Sequence, residues 1–223
     1  MATPDATRPR PAARRERERD IVEATRKLFD ERGLQDAPID EIARAVGINR
    51  ALIYRHFASK EELFVATVTS YLAELNGRGF RFDERADPAE LLRQACDRYA
   101  SFCLKYPAFL DCSLSLMRRP ARELREVVSD AVWFRLGQSM AACVSTLARI
   151  LALGKERGAF EIDDPDFSAN HLYTQVLGTM HLARIQVGVR ELSPGVPDVF
   201  PIDPERVKRA AIEDAMALAR IRS

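Results

Sequence analysis

PIDEIARAVGINRALIYRHFASK, residues 38–60, is the stretch that decides the fold of this 223-residue chain. Apolar residues recur at helical spacing on both sides of Gly47, which predicts two short amphipathic helices. These residues are Ile39, Ile42, Ala43 and Val46 before the glycine and Leu52, Ile53 and Phe57 after it. Gly47 can adopt the left-handed conformation and so predicts a tight turn. Two short helices joined by such a turn are typical of a helix-turn-helix.

Polar residues around the two helices predict their ends. We expect Asp36 to cap the first helix, with Pro38 early in it, and Asn49 to cap the second. Ala43 is small enough for the second helix to cross above it, and Ile53 is a β-branched plug between the two helices. Two helices packed in an ordinary helical domain are the alternative interpretation of this spacing.

The second helix carries side chains suited to DNA. A helix in the major groove needs a small residue where it approaches closely and hydrogen-bond donors around its rim. Arg50 is the best candidate to read a base edge, because a guanidinium matches O6 and N7 of guanine. A solvated charged face is the alternative for Arg55 and Lys60, and packing on the first helix is the alternative for Tyr54. The predicted DNA-binding residues are Asn49, Arg50, Ala51, Tyr54, Arg55, His56 and Lys60.

Residues 17–72 resemble the N-terminal domain of the TetR family of transcriptional regulators. The matching strings are IVEATRKLFDERG (21–33), IDEIARAVGINRALIYRHF (39–57) and SKEELF (59–64). The resemblance implies base or phosphate contacts from Asn49, Arg50, Ala51, Tyr54 and His56, and a phosphate contact from Lys60 at the start of a fourth helix.

The chain departs from the family pattern at Ala37-Pro38. Many relatives have threonines there, one of which contacts a phosphate. The backbone N–H of Ile39 or Asp40 is the candidate replacement for that contact.

Composition indicates a globular protein, with 47% apolar and 30% charged residues and a net charge of +1. The N-terminus lacks the apolar core of a secretion signal, and no apolar run approaches the length of a membrane span. We therefore expect a cytoplasmic protein without a membrane partner. Basic residues are in slight excess before residue 60 and acidic ones after it, which suits selective DNA binding.

The predicted domain organisation is a disordered basic arm over residues 1–16, a helix-turn-helix domain over 17–62 and a helical domain over 63–223. Arginines of the arm are candidates to reach the minor groove or phosphates beside the site. They are Arg8, Arg10, Arg14 and Arg15.

The predicted fold is all-α with about nine helices, three of them in the N-terminal domain. Strand-like alternation is absent, and SPGVPDVFP (193–201) is interpreted as a loop. The predicted helices of the second domain cover about 60–76, 88–106, 130–157, 165–189 and 203–221.

The helical domain is predicted to bind a small molecule and to dimerise. Aromatic and thioether side chains suit an apolar or aromatic effector, although such stripes are more often ordinary core. The candidate pocket residues are Tyr99, Phe102, Tyr106, Phe109, Met117, Trp133, Met140 and Tyr173. The resemblance implies a dimer formed by the last two helices, where small side chains allow close approach. The candidate interface residues are Gly178, Leu182, Ala211, Ala215 and Leu218.

No pattern in the sequence predicts catalysis, a cofactor or a metal site. The three histidines are not spaced as metal ligands, and the four cysteines are expected to be buried thiols, with redox sensing as a minor alternative. The expected function is a ligand-responsive transcriptional regulator, most simply a repressor that binds a palindromic operator as a dimer and leaves it when a small molecule binds. The alternatives are a helical enzyme or carrier with an aromatic pocket and a DNA-binding regulator without a ligand.

Overall fold

The computed structural model describes residues 11–32, 38–77 and 82–220. These residues form ten helices and one antiparallel pair of strands, which confirms a predominantly helical fold. The elements are α1 (Pro11–Arg32), α2 (Ile39–Val46), α3 (Arg50–His56), α4 (Lys60–Gly77), α5 (Pro88–Lys105), α6 (Pro107–Met117), α7 (Ala121–Val127), α8 (Asp130–Glu156), α9 (Pro165–Ile185), β1 (Val187–Ser193), β2 (Val196–Pro201) and α10 (Pro204–Arg220).

The chain forms two compact units. Unit 1 comprises Met1–Tyr71 and Ser115–Leu136, and unit 2 comprises Leu72–Leu114 and Gly137–Ser223. The predicted boundary after residue 62 differs from this division. The boundary lies within α4, and the segment that contains α7 packs with the N-terminal helices.

Unit 1 is built on the apolar faces of its short helices. Ile21 of α1, Ile42 of α2 and Ile53 of α3 are each at most 2% exposed, so the three helices share one core. Burying an aliphatic side chain of this size contributes about 1.5–3 kcal/mol. The Tyr71 hydroxyl of α4 donates to Asp30 Oδ1 of α1 at 2.6 Å, which adds a polar link between these two helices.

Glu62 is a buried carboxylate in unit 1, with 4% of its surface exposed. The backbone N–H of Ala58 donates to one carboxylate oxygen, and the backbone N–H and hydroxyl of Ser129 donate to the other. Ser59 caps α4, because its hydroxyl accepts from the Glu62 N–H at 2.9 Å. This cluster joins the first turn of α4 to the residue that precedes α8.

Unit 2 packs α10 against α9 and α5. Its core contains fully buried residues of these helices and of α8, including Leu92, Ile150, Leu177 and Ala215. Gly154 lies under the ring of Phe160, where an added Cβ would come within 2.0 Å of a ring carbon.

α8 is long and apolar enough to cross a membrane by length and composition, and no other helix of the described residues is. This differs from the prediction that no apolar run approaches the length of a membrane span. One such helix is weak evidence for a membrane span, because core helices of globular proteins pass the same test.

The β1–β2 hairpin was not predicted. α9 ends at Ile185 rather than near residue 189, because Gln186 adopts the left-handed conformation at φ 55°. The residues interpreted as a loop then pair as strands, with Val189 opposite Val199 and Gly188 opposite Phe200. Prolines are tolerated because a two-stranded ribbon leaves half of its amides outside the ladder.

Part of the predicted N-terminal arm is helical. α1 begins at Pro11, so residues 11–16 are helical rather than disordered. The ion pair between Arg14 and Glu18, at 3.0 Å, has the four-residue spacing that supports a helix. Arg8 and Arg10 lie outside the described residues.

We expect Glu62→Gln to lower the free energy of unfolding by about 1–3 kcal/mol, because an amide places two donors where the protein offers only donors. Urea denaturation followed by circular dichroism measures the change. The matched control is Glu61→Gln, because Glu61 is partly exposed and pairs with Arg119 at 3.8 Å. The control should lose less than about 1 kcal/mol. Equal losses in the two variants would contradict the role assigned to the Glu62 cluster.

Candidate DNA-binding face and ligand cavity

The turn between α2 and α3 has the predicted form. Gly47 has φ 70° and ψ 32°, and its N–H donates to the carbonyl oxygens of Ala43 and Arg44. The N–H of Ile48 donates to the Ala43 carbonyl at 2.9 Å, which closes the helix end. An L-residue with a side chain would be strained at this φ, so the glycine is required by the turn.

Both helix starts can be compared with their predictions. Asn49 caps α3, because its Oδ1 accepts from the Leu52 N–H at 2.9 Å. Pro38 is the N-cap residue of α2 and makes no side-chain cap bond, whereas Asp36 and Ala37 lie outside the described residues. The amides of Ile39 and Asp40 lie in the first turn of α2, where a helix offers N–H groups to outside acceptors.

The solvent face of α3 carries most of the predicted DNA-binding residues. Asn49, Arg50, Ala51, Tyr54, Arg55 and Lys60 are all exposed. Arg50 Nη1 lies 3.9 Å from Asp40 Oδ2, and its guanidinium lies 5.6 Å from the centre of the Tyr54 ring. The Arg50 side chain is 60% exposed, so this pair is weak and leaves the guanidinium accessible. Lys60 is the first residue of α4, as predicted.

His56 lies differently from the other predicted residues. Its side chain is only 10% exposed, and Nδ1 lies 3.7 Å from Glu18 Oε1 of α1. Nδ1 is shielded from solvent and makes no hydrogen bond. A phosphate cannot reach this nitrogen. The predicted DNA contact of His56 can therefore be made only through its other ring nitrogen. The resemblance to the family predicts a DNA contact at position 56, but packing against α1 decides which way the His56 ring points.

A cavity of about 230 Å³ lies in unit 2 between α4, α5, α8 and α9. It is lined by Leu75, Asn76, Ala95, Cys96, Arg98, Tyr99, Ala142, Cys143, Thr146, Leu147, Leu172, Tyr173 and Val176. Tyr99 and Tyr173 were predicted, and their rings meet edge to face at 5.5 Å between centres.

The other six predicted pocket residues do not line this cavity. Phe102 and Phe109 are at most 3% exposed and fill the core beside it. The Tyr106 hydroxyl donates to Glu74 at 2.8 Å, and the Tyr173 hydroxyl donates to the Met140 sulfur at 3.9 Å. The last two residues, Met117 and Trp133, belong to unit 1.

Sequence reasoning missed the polar lining, which consists of Asn76, Arg98 and Thr146. Arg98 follows Asp97 and precedes Tyr99 in a helix with charges on its outer face, so only the structure shows which charge faces inward. The available signal in the sequence was that the charged residue Arg98 is adjacent to Tyr99, a predicted pocket residue.

Burial keeps the acidic groups around the cavity in their neutral forms. Desolvation raises the pKa of Cys96 and Cys103 to about 12 and that of Cys143 to about 11. Desolvation also raises the pKa of Tyr173 to about 12 and that of Tyr99 well above its usual value. The thiols are therefore protonated at neutral pH, which disfavours the redox-sensing alternative because the thiolate is the reactive form.

The predicted dimer interface needs correction in α10. Ala211 and Ala215 are 1% and 0% exposed because they pack against α9 and α5 within the protomer. They have no surface to offer a partner. Gly178 and Leu182 are exposed on α9, and Leu218 is half-buried. Val189 and Val199 of the hairpin that follows α9 are also exposed apolar residues.

No cluster of three or more metal-ligating side chains occurs within residues 11–32, 38–77 and 82–220.

Known proteins resemble both the N-terminal segment of this chain and most of its length. Residues 21–67 match the model of bacterial regulatory proteins of the tetR family. The A-factor receptor protein of Streptomyces griseus is 25% identical over 183 residues, which are 82% of this chain and 60% of that protein. The transcriptional repressor NicS of Pseudomonas putida is 25% identical over 74% of each chain.

The fold of the whole chain also has solved counterparts. The transcriptional regulator FadR of Bacillus subtilis, solved in complex with stearoyl-CoA, matches with a TM-score of 0.65. The match covers 89% of this chain and 97% of FadR at 15% identity, so it indicates a shared fold.

Substitutions at Asn49 should separate its capping role from DNA contact. Asn49→Ala removes the cap and should lower the free energy of unfolding by about 1 kcal/mol. Asn49→Asp keeps an oxygen acceptor and should leave stability within about 0.5 kcal/mol of the original chain, but it places a negative charge beside the expected phosphates. Urea denaturation and fluorescence anisotropy with operator DNA measure the two effects. Unchanged DNA affinity in the Asn49→Asp variant would show that Asn49 only caps α3.

Proposed function

We propose, from the match of residues 21–67 to the model of bacterial regulatory proteins of the tetR family, that the chain is a cytoplasmic transcriptional repressor of that family. In this proposal a homodimer binds a palindromic operator and leaves it when a small molecule binds. The observation that carries the proposal is the exposed basic face of α3, held by the Gly47 turn and the Asn49 cap.

The geometry of α3 suits the major groove. Ala51 allows close approach to the DNA, Arg50 lies at the N-terminus of the helix, and Tyr54 and Arg55 are exposed beside them. Recognition helices place their N-terminal residues against base edges. Arg50 is therefore the proposed base contact, whereas Lys60 and the first amides of α2 are proposed phosphate contacts.

A small-molecule effector is supported by the cavity of unit 2. Pockets with mostly apolar walls and a few polar groups are typical of ligand sites. One relative is named as the receptor of A-factor, and the structural neighbour FadR was solved with stearoyl-CoA. The effector of this chain is accordingly proposed to occupy the space between α4, α5, α8 and α9.

Two helices offer a route from the cavity to the DNA-binding face. α4 contributes Leu75 and Asn76 to the cavity wall, and α8 contributes Cys143 and Thr146. Both helices start at the hydrogen-bonded cluster of Glu62 and Ser129. In the proposed mechanism the ligand favours a conformation in which α4 holds the two α3 helices at the wrong separation. A coupling of about 1–3 kcal/mol would lower operator affinity about 5- to 150-fold.

Selection of bound sequences from a random DNA pool tests the proposal. The purified full chain should enrich a palindrome whose half-sites lie one helical turn, or a multiple of it, apart. An enriched sequence without two-fold symmetry would contradict operator binding by a symmetric homodimer. Absence of any enriched sequence would favour the helical enzyme or carrier. A selected operator whose binding responds to no small molecule would favour the ligand-independent regulator.

The role of Arg50 can be measured on the selected operator. Arg50→Ala should cost about 1–3 kcal/mol of binding and relax the preference at one position of each half-site. Lys60→Ala is the comparison, since loss of a phosphate contact should weaken all sequences alike and reduce the salt dependence. Anisotropy titrations against single-base operator variants measure both. A uniform loss in the Arg50 variant would reassign that residue to a phosphate.

The dimer is proposed to form through the outer face of α9 and the adjoining hairpin, where Leu182 and Val189 are 38% and 72% exposed. Leu182→Arg should convert the dimer to a monomer, because it places a charge in an apolar interface. Sedimentation equilibrium measures the mass. Met117→Arg is the control, since Met117 is 51% exposed in unit 1 and lies outside the proposed interface. A Leu182 variant that stays dimeric would place the interface elsewhere.

A further inference from the structure

The two edges of the β1–β2 hairpin differ in what they offer to another strand. In an antiparallel pair, residues whose backbone groups bond to the facing strand alternate with residues whose backbone groups point away from it. The Ile202 N–H donates to the Gln186 carbonyl at 2.9 Å, which fixes the phase of this alternation. With the observed register, the outward groups belong to Val187, Val189 and Glu191 of β1 and to Pro197, Val199 and Pro201 of β2.

The outer edge of β2 is blocked, whereas the outer edge of β1 is open. Two of the three outward residues of β2 are prolines, which have no N–H to donate. Each of the three outward residues of β1 has both an N–H and a C=O. Within residues 11–32, 38–77 and 82–220 the sheet contains β1 and β2 alone, so no described strand pairs with the β1 edge. Proteins commonly block a strand edge that they do not use, which indicates that β1 has a partner strand.

The two faces of the hairpin differ as well. On one face, Arg190 Nε lies 2.7 Å from Asp198 Oδ2, and the Arg190 guanidinium lies 5.4 Å from the centre of the Phe200 ring. The groups of this face therefore contact one another. On the opposite face, Val189 and Val199 lie side by side and are both exposed. The apolar face and the open edge meet at Val189.

Exposed apolar side chains are concentrated around the hairpin. Seven of the twelve large apolar residues that are exposed in the described part of the chain lie between Leu182 and Val199. Such a concentration is typical of an interaction surface. β1 begins two residues after Ile185, the last residue of α9, whose outer face carries the proposed dimer interface. A two-fold interface uses the same segments of both copies, so two copies that meet at α9 bring their β1 strands to one place.

We propose that the outer edge of β1 pairs with β1 of a second copy of the chain. The two antiparallel strands join the hairpins into one four-stranded sheet, in the order β2, β1, β1, β2, across the dimer axis. This inference rests on the homodimer of the proposed function and adds the contact that aligns the two copies. Antiparallel pairing of identical strands is compatible with a two-fold axis, whereas parallel pairing is not.

The alternation of backbone groups limits where the axis can pass. Outward residues of one copy must oppose outward residues of the other, because only then do N–H groups meet carbonyls. An axis at Val189 pairs all three outward residues of each β1 strand. An axis at Gly188 pairs only two of them, because α9 ends at Ile185 and the third would face a helix.

Charge excludes the neighbouring positions of the axis. An axis at Arg190 would place two guanidinium groups opposite each other, and an axis at Glu191 would oppose two carboxylates, both of which are destabilising. With the axis at Val189, Arg190 of one copy opposes Gly188 of the other. The four valines at positions 199, 189, 189 and 199 then form one apolar row across the four strands.

Disulfide cross-linking tests the position of the axis in the full-length chain. Val189→Cys should give a linked dimer in most of the protein under oxidised glutathione, because opposed Cα atoms lie about 5.5 Å apart, within reach of a disulfide. Val199→Cys is the matched control, since it lies on the same exposed face. In the proposed sheet the two control positions lie three strand spacings apart, about 14 Å, which no disulfide spans.

Non-reducing electrophoresis after alkylation measures the linked fraction. The unchanged chain sets the background, and its four cysteines are buried or partly buried. Absence of a linked dimer in the Val189→Cys variant would overturn the proposal and leave the edge to a strand of another protein. An equal linked fraction in the Val199→Cys variant would also overturn it, because the axis would then not pass at Val189.

Proline substitutions test the backbone hydrogen bonds. Val189→Pro removes an outward N–H from each copy and no bond of the hairpin, so the dimer dissociation constant should rise about tenfold or more. Val199→Pro removes the outward N–H of β2, which the proposed sheet does not use, and should change that constant by less than about threefold.

Sedimentation equilibrium measures both constants, with circular dichroism as the check on folding. A Val189→Pro variant that dimerises as tightly as the unchanged chain, or an equal loss in the Val199→Pro variant, would overturn the strand pairing. If Val189→Pro does not fold, the two cysteine variants still decide the proposal.

The outcome is separable from the test of DNA binding. A chain that selects a palindromic operator but gives no linked dimer at position 189 would refute this inference and leave the proposed function standing. A chain that links at position 189 but selects no DNA would refute the proposed function and leave the intermolecular sheet standing.

Discussion

The buried carboxylate of Glu62 is the constraint on which much of unit 1 depends. A carboxylate removed from water is tolerated only when hydrogen-bond donors surround it. Here the donors come from Ala58, immediately after α3 and its cap residue, and from Ser129, immediately before α8. The end of α3 and the starts of α4 and α8 are thereby held at one cluster. The bond from Ser129 to Glu62 joins residues that are 67 positions apart in the sequence.

This cluster also explains why α1, α2 and α3 do not form a unit by themselves. The segment Ser115–Leu136 packs with the N-terminal helices although it lies within the second half of the chain. α4 and α8 then extend from unit 1 into unit 2, where both contribute to the cavity wall. The backbone of each of these two helices therefore belongs to both units.

Local chemistry was predictable from the sequence, whereas the direction of side chains was not. The turn at Gly47, the cap at Asn49 and the buried plug at Ile53 follow from residue types at fixed spacing. The largely buried ring of His56 and the buried alanines of α10 depend on what packs against them. A helical periodicity says that one face is covered, but it does not say whether the same chain or a second copy covers it.

The remaining differences between the predictions and the structure also arise because the sequence does not show what packs against each residue. The hairpin was missed because its prolines resemble loop signals, and its strands are recognised only once Val189 and Val199 are seen to pair. Arg98 was missed because a charge on an amphipathic helix is ordinarily solvated. Its position in the cavity lining depends on the packing of four helices, which the order of residues along α5 does not reveal.

The cap at Asn49 has a consequence for which positions of the proposed DNA-binding helix α3 can be altered. Its side-chain oxygen is committed to the Leu52 amide, and Gly47 and Ile53 are committed to the turn and the core. Under the proposed function, variation in operator preference therefore falls on the exposed positions between and beyond them, chiefly 50, 51, 54 and 55. A library that randomises only those positions would explore new DNA sequences without spending its diversity on chains that fail to fold.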